Sequence, residues 1–553
     1  MATKLSGKHA FMQMLRAEGV RYIFGNPGTS EAPFIGILHE YPELEYLMVV
    51  QEGVAIGMAE GYARASGEVG FVSLHIDNGL ANGFSLMIDQ KRTGSPVVIT
   101  AGNKDIRHLA NNRSDLADMA APFAKWSAEI SHPEQVPSVM RRAFQEARTP
   151  PTGPVFVALS GNAMDDLSDI DIEPSSAIHG EPRPEPAAVE NTSKVLANAS
   201  NPLMIVGDGV YTSGAVDAAA SLADTIGARV FSHVAGHMPF PTDHPLWCGQ
   251  ISFRSEEGLR AINNADVILA VGCPVFEDFF YRSGNFVDAD TTLIHIDADS
   301  SQIGRKEPTD IGIWASPLHA MAEIEIDVRR RMSDEDVEAA EVRIEEISTE
   351  NQAKMAAFEE LAASGWERTP IPPASMGRAL GDAIPKGANV FNDSISSSAM
   401  VHAGLAHRTD ITMMGARGGA IGWGIGATMG MKLANPDNPT IGIVGDGSAM
   451  MTVQGLWTAV NYDIPVTYVI CNNAAYRILK VNMNVYHAIN EMPPPEIYNA
   501  MDFTTPFDFK AQAEAYGGVG IRVTQADDIK PAIEAAVASG KPACVDVILE
   551  GAV

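Results

Sequence analysis

The sequence predicts an α/β protein built from three doubly wound parallel sheets, and three observations lead there. Short runs rich in β-branched and aromatic residues alternate with helix-forming stretches along the whole chain, the pattern of parallel strands joined by crossover helices. The runs end in Gly, Pro or Asn punctuation, which marks strand-to-helix turns. The 553 residues suffice for about three domains of roughly 150–200 residues each.

The first block, residues 1–175, carries the strand-like runs VRYIF, YLMVV, GFVSL, PVVITA and PVFVAL. Before them, MATKLSGKHAFMQMLRAEGV reads as a short amphipathic helix without the apolar core of a signal peptide. An acidic, Pro-rich linker, DDLSDIDIEPSSAIHGEPRPEPAAVEN, starts at Asp165. The second block, 190–345, holds PLMIVG, ARVFSHV, ADVILAVG and TTLIHID. A charged helix over about 328–363 leads to the third block, 365–553, with NVFND, ITMMG, TIGIVGDG, VTYVICNN, GVGIRV and ACVDVIL.

Composition narrows the function. The formal charge is −30, which argues against nucleic acid and anionic membranes as partners. Cys248, Cys273, Cys471 and Cys544 form no C-x-x-C pair, so neither a zinc site nor a disulfide framework is indicated. A cytoplasmic location is the expectation.

Two Gly-Asp-Gly triplets follow strands, at Gly207–Gly209 and Gly445–Gly447. Such a turn lets backbone N–H groups approach a phosphate. Only the second is followed by an apolar helix pattern, which Ser448 is placed to cap, and a buried strand ending in Asn472 and Asn473. In a right-handed β-α-β unit the C-terminal ends of the two strands lie side by side. Asp446 and Asn473 therefore converge beside a helix N-terminus. A carboxylate, an amide oxygen and backbone carbonyls suit Mg²⁺, and the glycines suit phosphates bridged by it.

GDG, 24 intervening residues (448–471) and NN resemble the binding motif of thiamine-diphosphate (ThDP) enzymes. The segment VVQEGVAIGMAEGYARASG resembles the catalytic-glutamate segment of the decarboxylase/carboligase superfamily. FGNPGTSEAPF, PVFED and LWTAVNYDIPVTYVICNN bring the likeness closest to benzoylformate decarboxylase. The resemblance covers almost the whole chain and implies the order pyrimidine-binding, middle and diphosphate-binding domain.

It also implies roles. Glu52 hydrogen-bonds the cofactor pyrimidine and promotes its imino form, and burial of such a carboxyl favours a protonated, donating state. Gly419 contacts the cofactor amino group through its carbonyl, and Ile421 wedges the cofactor into a bent shape. Ile395, Ser396, Gly445, Gly447 and Ser448 fall at the diphosphate. The side chains of Asp446 and Asn473 and the carbonyl of Ala475 complete the Mg²⁺ set. Thr29 and His75 match the substrate-binding hydroxyl and one of two relay histidines.

Several positions depart from that pattern. Phe279 stands near the second histidine, and His487 in NVYHAIN is a candidate replacement. Ala110 and Asn111 fall where an apolar pair lines the aromatic pocket. Ile478 replaces a small residue beside the cofactor and Asn482 an aromatic one. Together with Asn112 and Arg113 they point to a smaller or more polar acyl donor. The implied activity is decarboxylation of a 2-keto acid, with carboligation to an aldehyde as a further outcome. The alternative is an acetolactate-synthase-like carboligase or a 2-hydroxy ketone lyase. Relatives also imply a homodimer at minimum and a homotetramer as the larger assembly. FAD or ADP in the middle block is the less favoured option.

Overall fold

The computed structural model describes residues 3–108, 112–178, 180–233, 235–281 and 283–553. Three six-stranded sheets form the framework, and all their pairings are parallel. Counting strands in chain order within each sheet, the N-terminal and C-terminal sheets share the order 2-1-3-4-6-5. The middle sheet runs 3-2-1-4-5-6, the order of dinucleotide-binding sheets. The α/β expectation is met in all three blocks.

Central strands are buried from end to end, as in Val155–Ser160 and Thr467–Asn472. Helices on both faces of a parallel sheet demand this, so these strands read as continuous apolar runs. Strands without such a run were not foreseen. Trp126–Ile130, Trp247–Gln250 and Ile311–Trp314 are half-exposed edge strands. Thr3–Ser6 pairs antiparallel with Leu167–Ile170, so a short strand precedes the first helix, Gly7–Ala17, and the linker begins as a strand. The linker ends in the helix Pro186–Ala197. The charged connecting helix is two helices, Pro317–Arg331 and Asp334–Ser364. Ser333 separates them: its side chain accepts from the Asp336 N–H and Asp336 bonds back, a reciprocal N-terminal cap.

The chain forms two compact units. One joins residues 1–178, 366–400 and 410–553, and the other comprises 179–365 with 401–409. In the first unit the two outer sheets share a hydrophobic core that includes Phe24, Val54, Met58, Phe391, Trp423 and Tyr468. The helices Glu52–Ser66 and Gly424–Ala434 meet in this core at glycines. A Cβ on Gly61 would lie 2.1 Å from the Ala427 carbonyl oxygen, and one on Gly430 2.0 Å from that of Met58. Only glycine permits this approach.

In the second unit the first GDG triplet lies beside the central strands Pro202–Val206 and Val267–Val271. Its glycines serve packing: Cβ atoms on Gly207 and Gly209 would collide with Gly272 and Cys273. Asp208 accepts from the N–H groups of Gly236 and His237 and from the His237 ring, all within 3.0 Å.

Candidate active site

The second GDG triplet ends the strand Thr440–Gly445 and starts a short helix at Asp446. The N-cap is Gly445, not Ser448. Asp446 is buried, and burial pushes its carboxyl up to about 6, against the backbone N–H groups of Gly447, Ala474, Ala475 and Asn473. Oδ1 accepts from Gly447 N–H at 2.7 Å. Oδ2 is buried and makes no hydrogen bond within the protein. A buried carboxylate oxygen without a partner is costly unless something else binds it.

The two asparagines face different ways. Asn472 turns inward, donating to Asp546 Oδ1 at 2.8 Å and to the Phe507 carbonyl at 3.1 Å. Asn473 belongs to the turn around Asp446, and its Oδ1 accepts from Ala475 N–H at 3.1 Å. Gly447 keeps the turn close, because a Cβ there would sit 2.5 Å from the Tyr476 ring.

The loop that carries Gly419 and Ile421 is tied to the same sheet edge through Asp393, a residue the sequence reading passed over. Asp393 ends the strand Asn389–Asp393 and accepts from the N–H groups of Trp423 and Gly424 at 3.1 and 2.9 Å. Ser448 donates its hydroxyl proton to Asp393 and accepts from Gly422 N–H at 2.8 Å. Its hydroxyl therefore braces the loop. Gly419 has φ +80°, a conformation that favours glycine. Ile395 follows Asp393 closely at φ 44° and is 38% exposed. A β-branched residue held there marks local strain. Ser396 is next to it and partly buried.

Glu52 opens the helix Glu52–Ser66, where Gln51 caps the N-terminus by accepting from Val54 N–H. The side chains of Asn26 and Asn82 each donate to one Glu52 oxygen at 3.0 Å. Gly79 packs against it, with room for a Cβ only at 3.4 Å from Oε1.

His75 ends the strand Gly70–His75, and the next residue, Ile76, has φ 37°. Its Nδ1 lies 2.8 Å from Ser30 Oγ and 3.0 Å from Glu31 Oε2. The hydroxyl on His75 is thus that of Ser30, while Thr29 is exposed beside it. Glu31 is fully buried, which pushes its carboxyl up, against the pull of Ser30, His75 and Gly102 N–H. Neither Ser30 nor Glu31 was singled out from sequence. The hydrogen-bonding pair S-E, two residues past a Gly-rich turn, was the available signal.

The remaining pocket residues are dispersed. Ile478 and Asn482 lie partly buried on the helix Arg477–Ile489. His487 on the same helix is tied through Nδ1 to the Pro493 carbonyl. Phe279, in the second unit, is 91% exposed. Ala110 and Asn111 lie outside the described residues. The Arg113 side chain is buried in an ion pair with Glu129, so its charge is neutralised locally rather than offered to a ligand.

A metal-type turn at Asp446, a braced glycine loop and a buried glutamate define a thiamine-diphosphate-dependent enzyme. Models of the thiamine pyrophosphate enzyme family match in three parts: the N-terminal TPP-binding domain over 5–121, the central domain over 189–324 and the C-terminal TPP-binding domain over 395–547. The chain belongs to this family, and its activity is that of a carbon–carbon lyase or carboligase. It is 27% identical to benzoylformate decarboxylase of Pseudomonas aeruginosa, over 97% of this chain and 98% of that one. It is also 27% identical to a probable acetolactate synthase large subunit of Methanocaldococcus jannaschii, over 99% and 92% of the two chains. Among solved structures it is similar to a thiamine diphosphate-dependent 4-hydroxybenzoylformate decarboxylase of Rhodococcus jostii RHA1, with a TM-score of 0.82, 26% identity and 99% of both chains covered.

Proposed function

We propose that the protein decarboxylates a 2-keto acid with thiamine diphosphate and Mg²⁺. The observation that carries this reading is the buried, unpartnered Asp446 Oδ2 beside the Asn473–Ala475 turn, in a chain that also holds a buried Glu52. The donor set fits Mg²⁺: the side chains of Asp446 and Asn473 and the carbonyl of Ala475 are hard oxygen ligands. The N–H groups around Gly445 and Gly447, with Ile395, Ser396 and Ser448, would face the diphosphate. Gly419 and Ile421 would seat the cofactor ring system.

When bound, thiamine diphosphate supplies a nucleophilic carbon and an electron sink for C–C cleavage. This chain supplies the rest. Glu52 hydrogen-bonds the pyrimidine nitrogen and keeps its orientation through Asn26 and Asn82. Thr29 and His75 bind the keto acid and move a proton at its reacting carbon. Ile478 limits the acyl donor.

The second reading, carboligation or 2-hydroxy ketone cleavage, is favoured by the acetolactate synthase relatives and by Phe279 in place of a second histidine. With one proton donor fewer, coupling to a second carbonyl competes better with protonation. A homodimer is the smallest assembly proposed and a homotetramer the larger one. The helix Arg477–Ile489 buries only Lys480, leaving Leu479, Tyr486 and Ile489 exposed for a second subunit to cover.

A panel of 2-keto acids, with and without added aldehyde, tests both readings. Aldehyde and CO₂ without coupled product support the decarboxylase, and coupled product supports the ligase. Glu52→Gln is expected to bind cofactor and lose turnover; unchanged activity would overturn the assignment of Glu52.

A further inference from the structure

We infer that Glu31 and Ser30 are positioning residues that hold His75 as its Nδ1–H tautomer and leave Nε2 as the nitrogen that exchanges a proton with substrate. The inference deepens the proposed function and rests on His75 being the proton-moving group there. Its structural half stands on the hydrogen-bond geometry alone.

Glu31 has no exposed side-chain surface, and four groups surround its two oxygens. Gly28 N–H donates to Oε2 at 3.0 Å and Gly102 N–H to Oε1 at 2.9 Å. Ser30 Oγ donates to Oε1 at 2.6 Å, and His75 Nδ1 lies 3.0 Å from Oε2. Backbone N–H groups can only donate, and one sits on each oxygen, so both oxygens act as acceptors. That arrangement belongs to a carboxylate.

The tautomer of His75 follows. The single Ser30 hydroxyl proton is spent on Glu31, so at Nδ1 its oxygen can only accept. Nδ1 therefore faces two acceptors, Ser30 Oγ and Glu31 Oε2, and must itself carry the proton. Among the described residues Nε2 makes no hydrogen bond, and the side chain is 34% exposed. A carboxylate on one ring nitrogen is the usual way to fix the role of the other.

The backbone is shaped to bring these groups together. A Cβ on Gly28 would lie 2.2 Å from the His75 ring, and one on Gly102 2.5 Å from Glu31 Oε1. Both glycines permit approaches no other residue would. Thr29, one position before Ser30, is left exposed and free to face substrate.

The test uses the full-length protein loaded with thiamine diphosphate and Mg²⁺ and labelled with ¹⁵N only in histidine rings. Solid-state spectra are taken at about pH 8.5, where imidazoles are neutral, and His75 is assigned by difference against His75→Gln. The expected spectrum shows a protonated Nδ1 and an unprotonated Nε2. Glu31→Gln, whose amide can donate to Nδ1, is expected to shift the signals toward Nε2–H. It should lower kcat about 100-fold while KM stays within about threefold. Glu31→Asp should recover part of the loss, and Ser30→Ala should keep the tautomer with a smaller drop. An Nε2–H signal in the wild-type protein overturns the inference, and it does so even if Glu31→Gln fails to fold. Absence of turnover on every 2-keto acid would sink the proposed function and leave the spectrum to decide the tautomer.

Discussion

Asp89, from the N-terminal third of the chain, fills the space that a side chain at Gly418 of the C-terminal third would need. A Cβ at 418 would lie 1.5 Å from the Asp89 carboxylate. Asp89 is completely buried and its carboxyl is pushed up to about 8. Burial is the main cause, with Glu60 and Asp393 adding like charge and Ala420 N–H and Arg64 opposing it. The contact pins the loop carrying Gly419 and Ile421 from the side opposite Ser448.

The direction of the pH effect follows. Between the ordinary value of 3.8 and about 8, the folded protein holds a proton on Asp89 that the unfolded chain has released. Stability from this group therefore falls as pH rises through that window and is flat above it. Asp89→Asn keeps the shape and removes the titration. Its melting temperature should exceed that of the wild type by a few degrees (about 2–4 °C) at pH 8. The gap should narrow toward pH 5. Parallel melting curves at both pH values would sink this account.

The three sheets were legible because strands covered on both faces must be apolar throughout. PVFVAL and VTYVICNN say so directly. Trp126–Ile130 was not legible, since a half-exposed edge strand shows no such run. The GDG…NN spacing pointed to Asp446 and Asn473 because one β-α-β unit fixes their meeting. Asp393, Asn82 and Glu31 escaped notice for the opposite reason. Their partners lie 30 to 71 positions away, at Gly424 and Trp423, at Glu52 and at Gly102. Tertiary packing alone brings them together. Two GDG triplets looked alike in sequence, yet Gly207 and Gly209 serve loop packing, whereas Gly447 clears the Tyr476 ring beside an unpartnered carboxylate.

Asp446 Oδ2 has no partner within the protein, so cofactor affinity should depend on a divalent cation through this residue. Binding of thiamine diphosphate, followed by quenching of tryptophan fluorescence, should strengthen at least about tenfold on adding Mg²⁺ to the wild type. Asp446→Ala should lose that dependence and bind weakly at all Mg²⁺ concentrations. A variant that kept the full Mg²⁺ response would remove Asp446 from the metal site.

Glu52 is oriented by two amides, and Asn82 holds one of its oxygens. Asn82→Ala leaves Asn26 on the other oxygen, so the carboxyl stays in place but swings more freely. Turnover should fall about tenfold, with cofactor affinity within about twofold of the wild type. Measuring both separates orientation from binding. Equal losses in the two would mean that Asn82 supports the fold rather than Glu52.

Ile478 stands at the start of the helix Arg477–Ile489, two residues after Tyr476, whose ring packs on Gly447. A branched side chain there narrows the space for the acyl group of a keto acid. Ile478→Ala removes about three methyl-sized groups from a partly exposed position, so stability should change little, by about 1 kcal/mol or less. The substrate profile should change more. Relative kcat/KM should move toward aryl and long-chain 2-keto acids by about tenfold, the worth of one or two methylenes in an apolar pocket. A profile that stays fixed across the panel would place the limiting wall elsewhere and remove Ile478 as the residue that sets donor size.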